Sequence, residues 1–195
     1  MNNSCLLCGV GGQGTVLASK LIAFAAMEKG LNVRTAETIG MAQRGGCVVS
    51  HARMGEDIPS PLIPRGGADV IIGFEPAEAA RNLSYLKKDG VVVVNPKPVI
   101  PVTASLSGAP YRGEEMLDYL KQASPRLLVV NGDGIARRCG SAKVVNVALL
   151  AAAAHSGSLG LTVEDIRRAV ERMVPQRFHA VNFRAIALAC GEENV

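Results

Sequence analysis

Gly9-Val10-Gly11-Gly12-Gln13-Gly14 joins an apolar run, Ser4 to Cys8, to a helical pattern from about Thr15 to Lys29. The spacing is G-x-G-x-x-G, placed directly after a predicted strand and before a predicted helix. Glycine at these positions permits a tight turn and close packing of helix on strand. It also lets backbone N–H groups approach an anion at the helix N-terminus. Gly30 ends the helix, and Leu31 to Thr35 reads as a second strand. A nicotinamide fingerprint also requires an acid about 20 residues on, at the end of that strand. Glu37 lies two residues past its predicted end. Two readings therefore stand at this point: a dinucleotide turn, and a tight turn that binds nothing.

Outward from the turn, strands and helices alternate. Cys47 to Met54 alternates apolar with polar, as a strand with one solvated or ligand-facing side does. Ser50 and Ala52 share one face, and Val49, His51 and Arg53 the other. Pro59, Pro61 and Pro64 mark Gly55 to Gly67 as a surface loop. Ala68 to Phe74 is a buried strand, and Glu75 to Lys88 reads as a helix with Pro76 in its first turn. Asp89-Gly90 reads as a turn before the strand Val91 to Asn95. Val99 to Ala104 suggests a further short strand. Gly113 to Gln122 is a helix and Arg126 to Asn131 a strand, followed by a short helix from Gly134 to Cys139. The last third is helical, over Lys143 to His155, Thr162 to Met173 and Arg177 to Cys190. Thr162-Val163-Glu164-Asp165 has the form of a capping box. The fold class is α/β: a doubly wound, mostly parallel, Rossmann-like sheet with a helical C-terminal third, in one domain over 1–195. The ligand crevice of such a sheet lies at the carboxyl ends of its strands.

Composition narrows the function. Nearly half of the 195 residues are hydrophobic and Trp is absent. The core is therefore aliphatic, as in buried parallel sheets. The net charge of +4 is modest, and the basic residues are scattered apart from short pairs such as Lys87-Lys88, with no basic runs interleaved with aromatics, which argues against nucleic acid. The longest apolar run, Val144 to Ala154, is interrupted by Asn146 and is shorter than the roughly 20 residues of a membrane span. With no evident signal peptide, the expectation is a cytoplasmic protein. Five cysteines, an odd number, argue against a disulfide framework. Cys5 and Cys8 lie on one strand three residues apart, hence on opposite faces, and no second CxxC exists to complete a metal site. His51, His155 and His179 have no ligand or base partner nearby in sequence, and no GxSxG is present. No catalytic residue is expected in this chain.

A second motif, Met41-Ala42-Gln43-Arg44-Gly45-Gly46, precedes the strand that holds Ser50 and Arg53. The Arg44 guanidinium suits phosphate or carboxylate. The turn GVGGQG, the run ETIGMAQRGGCVVSHARMG and the segment ADVIIGFEPAEAARNLSYLKKDGVVVVN together resemble the γ-type domain of 2-oxoacid:ferredoxin oxidoreductases. The MAQRGG-V-S-x-x-R form is most similar to the β subunit of indolepyruvate ferredoxin oxidoreductase. Lys143 to Asn146 and Val181 to Gly191 resemble the final helices of the same family, so the resemblance spans the chain.

The resemblance implies a small subunit that binds no cofactor itself. A larger catalytic partner would carry thiamine diphosphate with Mg and the 4Fe-4S clusters. The complex would convert a 2-oxoacid, indolepyruvate or another aryl pyruvate, with coenzyme A into acyl-CoA and carbon dioxide, and reduce ferredoxin. The positions that match the family motif are Gly9, Gly11, Gly12, Gln13, Gly14, Gln43, Arg44, Gly45, Gly46, Ser50 and Arg53. They are expected at the partner interface or near the coenzyme A phosphates. Isolated, the chain would cover an apolar interface as a homodimer, with Ala148 to Ala154 either at that surface or inside. Two other readings remain open: a standalone NAD(P)- or FAD-dependent Rossmann-type oxidoreductase, and a partner-binding module without redox function.

Overall fold

The computed structural model describes residues 2–39, 45–100, 111–124 and 126–192. Gln43 and Arg44 lie outside them, as does most of the expected strand Val99 to Ala104. Strand β1 (Asn3–Val10) runs through the glycine turn into α1 (Thr15–Glu28), then β2 (Asn32–Ile39) and β3 (Cys47–Gly55). Next come β4 (Ala68–Gly73), α2 (Pro76–Arg81) and β5 (Leu86–Val94). The rest is α3 (Gly113–Ala123), β6 (Leu127–Val129), α4 (Gly132–Cys139), α5 (Val145–His155), α6 (Val163–Met173) and α7 (His179–Ala189).

The six strands form one sheet in the order β2-β3-β1-β4-β5-β6. β1, β4, β5 and β6 are parallel neighbours. β3 runs against both β1 and β2, so a single reversed strand divides an otherwise parallel sheet. Cys5 and Cys8 point to opposite faces, Cys5 under α1 and the C-terminal helices, Cys8 under α2 and α3. Burial pushes both thiols well above the ordinary thiol range.

Three local expectations differ from the structure. The helical pattern from Glu75 to Lys88 breaks after Arg81. Asn82 closes the helix by donating its side-chain Nδ2–H to the Glu78 carbonyl, 2.9 Å away. A single 3-10 turn, Leu83–Tyr85, then leads into β5. Asp89-Gly90 lies within β5, where the register against β4 passes from Ala68↔Leu86 to Val70↔Val91. This is an irregularity of the ladder rather than a turn between elements. β2 extends to Ile39 and includes Glu37.

The run Val145–His155 is an interior helix: every residue from Asn146 to Ala154 is buried. It packs against α7, α4 and α6 and reaches β4 and β5. Its alanines therefore offer no dimer surface. The capping box at α6 forms as expected. The Thr162 side chain accepts from the Asp165 N–H and the Asp165 carboxylate accepts from the Thr162 N–H. Among the described residues no helix is long and apolar enough to cross a membrane.

On β3, Ser50 and Ala52 face the α1 side, and His51 and Arg53 the other. The Arg53 guanidinium donates to the carbonyls of Ser60 (2.9 Å) and Leu62 (3.2 Å). The His51 Nδ1 accepts from the Ile63 N–H at 3.2 Å, and its ring stands edge-on to Tyr85. These two side chains hold the proline loop against the sheet.

Burial, which disfavours the charged imidazolium, lowers the basicity of His51 below its ordinary value of 6.5. The folded state then resists a proton that the unfolded chain accepts. Stability is expected to fall as pH drops below about 6.5 toward the folded-state value. His51→Gln, which keeps an acceptor for Ile63, should lose this slope in urea melts run from pH 7.5 to 5. An unchanged slope would remove His51 as its source.

Candidate functional site

The chain leaves β1 through α1 toward β2 and leaves β4 through α2 toward β5, on opposite faces of the sheet. The carboxyl ends of β1 and β4 are therefore the topological switch point, where ligands of open α/β sheets bind. Gln13 occupies it. Its Oε1 accepts from the Val10 N–H at 2.7 Å, and its Nε2 donates to the Phe74 carbonyl at 3.1 Å. Gly9 makes this possible, since a Cβ there would stand 2.7 Å from Gln13 Oε1 and 2.8 Å from Phe74 Cβ. The Gly11 N–H donates to the Gly46 carbonyl at 2.9 Å. The Gln13 N–H donates to the Val10 carbonyl at 3.2 Å, so of the turn's amides Val10, Gly11 and Gln13 are already engaged.

This arrangement bears directly on the nicotinamide reading. In a dinucleotide site the second strand lies beside the first and its terminal acid reaches the ribose. Here β3 separates β2 from β1, and Glu37 pairs in register with Ser50. The acid is one strand too far away, and the crevice it would serve is filled by a carboxamide.

The open space lies beside the plug. A cleft of about 510 Å³ is lined by Gly12, Gln13, Gly14 and Leu17 from the start of α1, and by Phe74, Asn95, Lys97 and Val99 beyond β4 and β5. Its far wall holds Asp133, Ala142, Lys143, Val145 and Asn146. Gly14 caps α1 in the left-handed region (φ 83). A Cβ there would also approach Asn146 Nδ2 to 2.7 Å. Lys97 pairs with Asp133 at 3.0 Å, and Asn95 Oδ1 accepts from the Gly132 N–H at 3.2 Å. The cleft thus presents a 14-residue helix N-terminus, Lys143 and the Asn146 carboxamide as available donors, while Lys97 is held by Asp133 and the Asn95 carboxamide by Gly132 and Phe74. That donor set fits an anion.

Behind the turn, Glu75 organises the opposite wall. Its carboxylate caps α2 through the Glu78 N–H (3.0 Å) and accepts from the Tyr111 hydroxyl and, at 3.4 Å, the Val99 N–H. Burial and that carboxylate push the Tyr111 phenol well above its usual range. Burial, with Glu78 next to it, pushes the Cys47 thiol up to about 11, which leaves it unreactive near neutrality.

The structure brings Gly9, Gly11, Gly12, Gln13 and Gly14 together with Gly46, and Gly45 adjoins them. Ser50 and Arg53 are not part of this group. They pair with Leu7 and Ser4, well down β1, where Ser50 is fully buried and Arg53 holds the loop carbonyls. Asn95, Lys97, Lys143 and Asn146 were not among the expected site residues, although Lys143 to Asn146 belong to a segment that carries the family resemblance. Two carried a signal: Asn95 ends an all-apolar strand at its carboxyl end, and Asn146 interrupts an apolar run. Among the described residues no group of three or more His, Cys, Asp and Glu side chains stands close enough to hold a metal ion.

Residues 4–192 match the family described as pyruvate ferredoxin/flavodoxin oxidoreductase. The chain belongs to this family. It is 39% identical to the indolepyruvate oxidoreductase subunit IorB of Archaeoglobus fulgidus, over 96% of this chain and 94% of that one. The fold is that of the γ subunit of a keto/oxoacid ferredoxin oxidoreductase from Geobacter sulfurreducens. That structure has a TM-score of 0.70 and 21% identity, and 97% of each chain is covered. The 2-oxoglutarate:ferredoxin oxidoreductase of Magnetococcus marinus contains the same fold (TM-score 0.71, 17% identity) over 98% of this chain and 31% of its own.

Proposed function

We propose that this chain is the small subunit of a cytoplasmic 2-oxoacid:ferredoxin oxidoreductase that acts on an aryl pyruvate, indolepyruvate foremost. The observation that carries the proposal is the similarity to an indolepyruvate oxidoreductase subunit along almost the whole chain. The larger partner carries thiamine diphosphate, Mg and the iron–sulfur clusters, and passes electrons to ferredoxin. The opposed cysteines of β1 do not suit cluster ligation, which favours placing all redox groups on the partner. The whole chain acts as one unit whose contribution is to binding and assembly.

Coenzyme A is the ligand proposed for the cleft, with a phosphate at the N-terminus of α1 and near Lys143. Gln43, Arg44, Gly45 and Gly46 are proposed to meet the partner or the same phosphates. The remaining amides of the glycine turn favour this reading, because Gln13 has taken the place of a pyrophosphate at the switch point itself.

The test is co-expression with candidate large subunits and ferredoxin-dependent oxidation of a panel of 2-oxoacids. Activity on aryl pyruvates that requires this chain is expected, and activity without it would overturn the subunit role. In the complex, Lys143→Ala is expected to weaken coenzyme A about tenfold, near 1.4 kcal/mol, with little change in the KM for the 2-oxoacid. Equal KM values for coenzyme A in variant and wild type would remove Lys143 from the phosphate site.

A further inference from the structure

On the face of the sheet covered by α2 and α3, a slot of about 260 Å³ opens past the end of β1. Val10, Ala77, Val99 and Met116 supply its apolar walls. Its polar lining is Glu75 with Tyr111, Glu78 and Arg81 on α2, and Arg112 and Glu115 at the start of α3. Three carboxylates thus stand against two guanidiniums. Arg81 holds Glu78 Oε1 at 2.5 Å, and Arg112 holds Glu115 at 3.2 Å. Glu75 is left without a cation among the described residues. Its donors, the Glu78 N–H, the Val99 N–H and the Tyr111 hydroxyl, are all neutral, yet it is only 2% exposed. Glu78 is 6% exposed, and its Oε2 is buried with no hydrogen-bond partner among the described residues. The Cys47 thiol lies near Glu78, but a thiol is a weak donor and makes no such bond to Oε2.

A buried carboxylate without a countercharge, next to a buried acceptor without a donor, is costly unless one cation serves both. The two acceptors belong to different carboxylates. That suits the divergent N–H groups of an ammonium, whereas a guanidinium fork matches both oxygens of a single carboxylate. The apolar walls suit an alkyl stem. Nothing else in the slot reads a second functional group, because Arg81, Arg112, Glu115 and Tyr111 are all taken up by pairing. A free amine would therefore be held by one end alone. A side chain anchored in another protein needs no further recognition. We propose that the slot receives a lysine side chain of the larger partner subunit, with its ammonium between Glu75 and Glu78 and its stem along Val10, Ala77, Val99 and Met116. The proposal rests on the reading of this chain as a small subunit.

Assembly of the full chain with the co-expressed large subunit tests it. Glu78→Gln keeps the shape and an acceptor for Arg81 but removes the charge. It is expected to weaken assembly at least about tenfold, the order of one charge-assisted hydrogen bond. Ala77→Leu fills the path of the stem without altering either carboxylate and should weaken assembly to a similar extent. Reductive methylation followed by mass spectrometry reads the partner directly. One lysine of the large subunit should be protected in the wild-type complex and reactive in the Glu78→Gln complex. Changing that lysine to Met should weaken assembly as Glu78→Gln does, and the two changes together should cost no more than either. A merely structural role for Glu78 would not produce that coupling. Wild-type affinity in both Glu78→Gln and Ala77→Leu, the absence of a protected lysine, or additive losses would overturn the lysine slot and leave the subunit reading intact. Binding of n-butylammonium to the assembled wild-type complex but not to its Glu78→Gln form would mark a site for a free amine and overturn the slot as well. Failure of the wild-type chain to assemble with any large subunit would overturn both readings.

Discussion

Gln13→Ala is expected to lower the unfolding free energy by about 2–4 kcal/mol, because it strips partners from two groups at once. The Val10 N–H loses its acceptor and the Phe74 carbonyl loses its donor, at the point where β1, β4 and α1 meet. The alanine side chain is too short to replace either bond. Gln13→Glu separates the two contributions. It keeps an acceptor for Val10 but sets an oxygen against the Phe74 oxygen, so it should be destabilised as well. Chemical melts at pH 7 measure both. A loss below about 0.5 kcal/mol in both variants, the range of ordinary surface substitutions, would show that the carboxamide is incidental. Neither variant should gain affinity for NAD in a thermal-shift titration, since β3 still holds Glu37 away from the turn. A clear shift with NAD would restore the dinucleotide reading.

The contrast between Gln13 and its setting shows where the sequence can be read. The turn, the strand before it and the helix after it are encoded within about a dozen consecutive residues. Their type follows from glycine spacing and local periodicity. The direction of the Gln13 side chain depends on Phe74, 61 residues away, and on the space left by the absent Cβ of Gly9. Nothing local reports either. The same holds for β3: the alternation of Cys47 to Met54 assigned Ser50 and Arg53 to opposite faces. Alternation carries no sign of direction or neighbours, so the intrusion of β3 between β1 and β2 had no local signature. The break at Asn82 is similar. Helical periodicity continues to Lys88, but Tyr85 is needed beneath His51 and Leu86 opposite Ala68, and tertiary pairing overrides the local preference. The cleft was legible only at its glycine side. Its lysines and asparagines come from two other segments, one after β5 and one at the start of α5, that meet it through the sheet order.

The capping box at α6 is the opposite case, a local motif whose larger energy comes from afar. Thr162-x-x-Asp165 was readable as a cap, worth about 1 kcal/mol. The structure adds Lys29, from the end of α1, at 3.0 Å and Arg168 at 2.6 Å from the same nearly buried carboxylate. Burial on its own would raise the Asp165 pKa. The hydrogen bonds from Thr162, Lys29 and Arg168 outweigh it and hold the group at about 2, against an ordinary 3.8. A depressed carboxylate stabilises the fold above its unfolded value, and that stability is lost as pH falls from about 4 toward 2. The shift corresponds to about 2 kcal/mol at neutral pH. Asp165→Asn keeps an acceptor for the Thr162 N–H and Lys29 but removes the charge and, as protonation does, sets a donor against Arg168. It should cost about 2 kcal/mol at pH 7, and the difference from wild type should shrink to about 0.4 kcal/mol at pH 2, where the group is half ionised. Asp165→Ala removes the cap as well and should cost about 1 kcal/mol more at either pH. A pH-independent gap between wild type and Asp165→Asn would mean that Lys29 and Arg168 contribute no charge interaction. The clamp between α1 and α6 would then be packing alone.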